Sequence, residues 1–99
     1  MFELKFTQAA DKQLKTIESS PSKAGICKQI KKCLGLLQTN PKHPSLKTHV
    51  YDSIDNPFDL KEKVFEAYAQ NNSPCAYRVF WCYGPEKKQI TIIAITPHP

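Results

Sequence analysis

Ninety-nine residues fit one domain, 1–99. Apolar residues at 40% and charged residues at 23% describe an ordinary globular chain rather than a disordered one. No apolar run approaches the roughly 18 residues of a membrane span. The start, Met1 to Lys5, lacks a basic segment followed by an apolar one, so the sequence predicts a cytoplasmic chain without a membrane partner. The net charge of +5 is unevenly spread. Residues 1–50 carry nine lysines against Glu3, Asp11 and Glu18, whereas residues 51–99 carry four lysines and Arg78 against six acids. The basic excess therefore sits in the first half and favours a polyanion or an acidic partner there.

Phe2, Leu4 and Phe6 alternate with Glu3 and Lys5, which predicts a strand with one buried face. Thr7 is placed to cap a helix over 8–19, where Ala10, Leu14 and Ile17 recur at helical spacing. Ser20 and Pro21 restart the chain as a cap and a first helical residue. Ile26, Ile30, Cys33, Leu34 and Leu37 then make an apolar stripe to about Thr39, and Asn40-Pro41 ends it. Two helices so closely joined predict an antiparallel hairpin. Residues 41–48 read as a proline-fixed loop, with His49–Ile54 as a strand and Asp55-Asn56-Pro57 as a turn. Val64–Ala69 and Ala76–Tyr83 read as strands joined by a hairpin-like loop at Gln70–Pro74. Gln89–Thr96 is the last strand. The expected order is β-α-α-β-β-β-β, an α+β fold. Its helical hairpin packs on one face of a mostly antiparallel sheet, and the other face stays partly open for a ligand.

Lys28, Lys31 and Lys32 share one face of the second helix, with Lys23 nearby. The four cysteines, at 27, 33, 75 and 82, match neither a redox pair nor a zinc ribbon. Cys27 and Cys33 point about 120° apart on a helix. Cys33 and Cys82 read as small core residues. The sequence predicts no metal site and no cofactor.

Four stretches together resemble one known family: Phe-Glu-Leu-Lys-Phe-Thr at 2–7, His-Pro-Ser-Leu-Lys-Thr-His at 43–49, Ala-Tyr-Arg-Val-Phe-Trp at 76–81, and Ile-Ala-Ile-Thr-Pro-His at 93–98. The Tyr-Arg strand and the terminal His are the specific pair. The whole chain resembles the RelE/ParE toxin superfamily of bacterial toxin–antitoxin systems. That resemblance implies a RelE-like fold and a cognate antitoxin. It also implies metal-independent endoribonuclease (mRNA interferase) action on messenger RNA at the ribosome. There the ribose 2′-OH attacks the adjacent phosphate, leaving a cyclic phosphate and a 5′-OH. The alternatives are a catalytically silent, partner-binding RelE-like domain or a ParE-like inhibitor of DNA gyrase.

Such cleavage needs a proton acceptor, a cation for the phosphate and a proton donor. By resemblance, His98 matches the terminal histidine and Arg78 the strand arginine. A guanidinium fork suits a phosphate, although Arg78 also suits an ion pair with Glu66 or Asp52. His49 is a candidate base, with Lys47 holding phosphate. Lys28, Lys31 and Lys32 are candidate RNA contacts. His43 reads as a surface residue, and Glu66 stays open as an alternative base. Tyr68, Tyr77 and Trp81 offer rings for stacking a base, against the more common role of core aromatics. A single arginine and the added residues at about 52–63 depart from the active nucleases of the family. They leave two options, a histidine-centred catalytic set or a domain without nuclease activity.

Overall fold

The computed structural model describes residues 1–70 and 75–98. The elements run β1 (Glu3–Phe6), α1 (Gln8–Glu18), a 3₁₀ turn (Pro21–Lys23), α2 (Ala24–Thr39), a second 3₁₀ turn (Pro44–Leu46), β2 (His49–Val50), β3 (Phe65–Tyr68), β4 (Tyr77–Tyr83) and β5 (Gln89–Pro97). The five strands order as β1-β5-β4-β3-β2. β1 lies parallel to β5, and every other pair is antiparallel. The expected α+β order is therefore the observed one.

Local chemistry explains the boundaries. Thr7 accepts the Ala10 N–H at 3.1 Å and so caps α1. Its hydroxyl also donates to the Ile93 carbonyl at 2.7 Å, tying the cap to β5. α2 buries Ile30, Cys33, Leu34 and Leu37, the expected stripe. These side chains meet Ala67, Tyr77, Val79, Trp81, Ile90, Ile92 and Ile95 from one sheet face, and this layer is the core. β4 is central, and Tyr77 through Cys82 are all buried. A bulge on β5 at Ile93 keeps Ile92 and Ile95 on the helix face, although they are three residues apart.

Four local expectations change. The strand at His49–Ile54 is only His49–Val50, because β3 begins at Phe65 and offers no partner beyond the Tyr51 N–H to Val64 carbonyl bond. The chain then leaves the sheet, and Tyr51 lays its ring 4.7 Å from that of Phe80, covering part of the second face. Asn56 makes the expected turn, its side-chain oxygen accepting the Phe58 and Asp59 N–H groups. Phe6 is exposed rather than buried, because β1 is an edge strand. The Ser20 side chain makes no capping bond; its hydroxyl meets that of Ser22, and the 3₁₀ turn intervenes before α2. His43 is half-buried, not free at the surface, and its Nδ1 accepts the Ser45 N–H at 3.1 Å. Most of the expected Gln70–Pro74 loop, residues 71–74, lies outside the described residues.

Candidate functional site

Strand parity and register build the site on the face away from the helices. His49 stands opposite Glu66, and Glu66 opposite Phe80. Tyr68 pairs with Arg78, and Arg78 with Thr96. Cross-strand partners share a face. His98 follows two residues after Thr96, and its backbone N–H donates to the Ala76 carbonyl at 2.8 Å. That bond extends the β5 alignment to the last described residue and fixes the histidine over the sheet.

The centre is the Glu66 carboxylate, 1% exposed. His49 Nε2 approaches Oε1 at 2.5 Å, and His98 Nδ1 approaches Oε2 at 3.0 Å. Arg78 Nε lies 3.9 Å from Oε2, within ion-pair range but too far for a hydrogen bond. A buried carboxylate held by three cationic or protonatable groups satisfies the rule that buried charge is paired.

The two histidines are not equivalent. His49 Nδ1 stands 3.2 Å from the Lys47 carbonyl, which only accepts, so this nitrogen carries a proton. Its Nε2 is taken by Glu66, and neither ring nitrogen is open to a substrate. Lys47 adopts a left-handed backbone, φ 48, which aims that carbonyl at the ring. The conformation costs on the order of 1 kcal/mol for a side chain with a Cβ. His98 uses only Nδ1, and among the described residues nothing pairs with its Nε2. With the ring about half exposed, that nitrogen can give or take a proton at the open face.

Arg78 belongs to the floor. Its side chain is 6% exposed. Nη1 donates to the carbonyls of Gln70 at 3.1 Å and Tyr77 at 3.3 Å. Its guanidinium carbon sits 3.8 Å from the Tyr68 ring centre. Of the three candidate stacking rings, Tyr77 and Trp81 lie in the helix-side core. Only Tyr68 faces the site, with the His49 ring edge-on at 5.8 Å and Lys47 Nζ 6.0 Å from its centre.

The structure thus brings His98, Arg78, His49 and Lys47 together. It does not bring Lys28 and Lys31 to them: these exposed lysines sit on α2, in the layer beyond the sheet, and Lys31 pairs with Glu18 at 2.9 Å. Lys32 lies at the rim of that layer, lining a cleft with Gln29, Ser45, Tyr68 and Gln70. Glu66, which the sequence left only as an alternative base, is the residue at the centre of the set. Its signal was an acid at alternate spacing with Tyr68 in an otherwise apolar strand, opposite a short strand that opens on histidine. Cys33 and Cys82 are buried, and burial pushes their thiols up to about 12 and about 11, so neither supplies a thiolate.

No profile of a known family and no curated protein matches the chain. Solved structures do. The YoeB/ParE toxin from Agrobacterium tumefaciens aligns with a TM-score of 0.70 at 10% identity, covering 99% of this chain and 100% of that one. The toxin–antitoxin complex RelBE from E. coli aligns at 0.62 and 17% identity, covering 100% and 99%. The archaeal RelE–RelB complex from Pyrococcus horikoshii aligns at 0.63 and 15% identity, covering 97% and 93%. With its two helices on one face of a mostly antiparallel five-stranded sheet, this chain has the RelE/ParE toxin fold.

Proposed function

We propose that the chain is the toxin of a toxin–antitoxin pair and cleaves messenger RNA at the ribosome by 2′-OH attack. The observation that carries this reading is His98: Nδ1 is anchored on a buried carboxylate, the ring is about half exposed and, among the described residues, Nε2 has no partner. In the proposed step the 2′-oxygen bonds to phosphorus, its proton passes to solvent and the bond from phosphorus to the 5′-oxygen breaks. His98, protonated, gives its Nε2 proton to that departing oxygen. Lys47 and the His49 ring, hydrogen-bonded as a cation, meet the charge that grows on the phosphate. His49 thereby takes an electrostatic role rather than that of a base, and Arg78 holds the floor rather than the phosphate.

The partner is a cognate antitoxin. The RelE-type neighbours are seen in complex with RelB, and the net charge of +5 suits an acidic chain. The test is induction in bacterial cells with mapping of new 5′-OH ends, wild type beside His98→Ala. Cuts at a fixed codon register that vanish in the variant support the reading. Growth arrest without cuts refutes it and favours gyrase. A second reading, a catalytically silent partner-binding domain, draws on the burial of Arg78, which leaves the chain's single arginine unavailable to a phosphate. Absence of both cuts and arrest favours it.

A further inference from the structure

We infer that Glu66 is the positioning residue of this site, setting which nitrogen of His98 carries the proton; the inference rests on the proposed RNA chemistry only for its effect on rate. The groups facing the carboxylate are His49 from β2, Arg78 from β4 and His98 beyond β5, with Tyr68 beside them on its own strand. Oε2 is an acceptor, so the neutral His98 ring places its proton on Nδ1 and keeps a lone pair on Nε2. Once protonated, the ring donates from Nε2 while Nδ1 stays on the carboxylate. The Glu66 carboxylate thus fixes ring orientation and tautomer together, a division of labour known from acid–histidine pairs in hydrolases.

The geometry makes Glu66→Gln informative. The amide oxygen stays opposite the His49 Nε2–H, which turns the amide NH₂ toward His98 Nδ1. That nitrogen must then accept, and the neutral ring carries its proton on Nε2 instead. The isosteric change leaves the packing in place and reverses the tautomer.

The experiment uses the full chain, ¹⁵N-labelled at histidine, with ring spectra recorded at a pH where His98 is neutral. mRNA cleavage in a translation extract is measured alongside for wild type, Glu66→Gln and Glu66→Asp. The wild type is expected to show Nδ1–H at His98 and the Gln variant Nε2–H. Cleavage is expected to fall by about 10⁴-fold in the Gln variant, the scale seen when such a partner is replaced by an amide, and to return in part with Asp. An Nε2–H tautomer in the wild type overturns the inference, whether or not the Gln variant folds. So does a Gln variant with unchanged tautomer and rate. A wild-type chain with the Nδ1–H tautomer and no cleavage upholds the positioning by Glu66 and overturns the proposed function.

Discussion

Arg78→Ala separates a floor residue from a phosphate ligand. The substitution removes two guanidinium bonds to carbonyls, at 3.1 and 3.3 Å, and a cation stacked 3.8 Å from the Tyr68 ring centre. It also strips the fully buried Glu66 of its nearest permanent positive charge, 3.9 Å away. Removing one partner of a buried pair costs about 3–5 kcal/mol, because the remaining charge stays in a poorly solvating site. The bonds to carbonyls fall within that figure, since burying the guanidinium was itself costly. At about 4–8 °C per kcal/mol for a domain near 100 residues, the melting temperature is expected to drop by at least about 12 °C. Urea titration followed by circular dichroism measures the loss. Arg78→Lys keeps the charge but lacks the planar fork, and should recover less than half of it. If Arg78→Ala loses less than about 1 kcal/mol while cleavage disappears, Arg78 acts on the substrate and the floor assignment is wrong.

Further outcomes are expected. Thr7→Val removes both the cap on Ala10 and the bond to Ile93, and should cost about 2 kcal/mol, one from the cap and one from the bond, in the same titration. Under the proposed chemistry, Lys47→Ala should slow cleavage on the order of 100-fold. Joint replacement of Lys28 and Lys31, in the other layer, should leave the single-turnover rate within about threefold. Exposed Cys75 should react with a thiol reagent in the native protein, and buried Cys33 and Cys82 only after unfolding. Their alkaline linkage has a definite sign. An unfolded thiol ionises near pH 9, whereas folded Cys33 holds its proton to about 12. The unfolded state therefore binds fewer protons above pH 9, and these thiols make stability fall as pH rises through that window. A melting temperature that rises from pH 9 to 10.5 in wild type relative to a Cys33→Ala, Cys82→Ala variant contradicts the burial argument.

How the site came to be half legible follows from its construction. His49, His98 and Arg78 are polar or charged residues within or next to strands, and Lys47 stands two residues before β2; such positions are visible in one dimension. Glu66 interrupts β3 in the same way, but the sequence gives no measure of what stands opposite. The register that sets it against His49, and the β5 bulge that precedes His98, involve residues 17 and 32 positions away from it. The roles within the set were less legible still. Whether an arginine on a strand meets solvent or a carbonyl depends on how the neighbouring backbone returns, here at Gln70. The α2 lysines formed a patch on paper, yet the sheet stands between Lys28, Lys31 and the carboxylate.

The sequence by itself determined the element order, the apolar stripe of α2 and the Thr7 cap. These depend on periodicities and on contacts within a few residues, which a linear chain already contains. The tertiary structure alone decided that β2 stops at Val50, that Phe6 lies at an exposed edge and that Arg78 is enclosed. It alone decided that one buried carboxylate joins two histidines and that, of the two, His98 keeps a nitrogen unpaired among the described residues. Those outcomes depend on which strands become neighbours and in what register, and that pairing joins segments far apart in the chain.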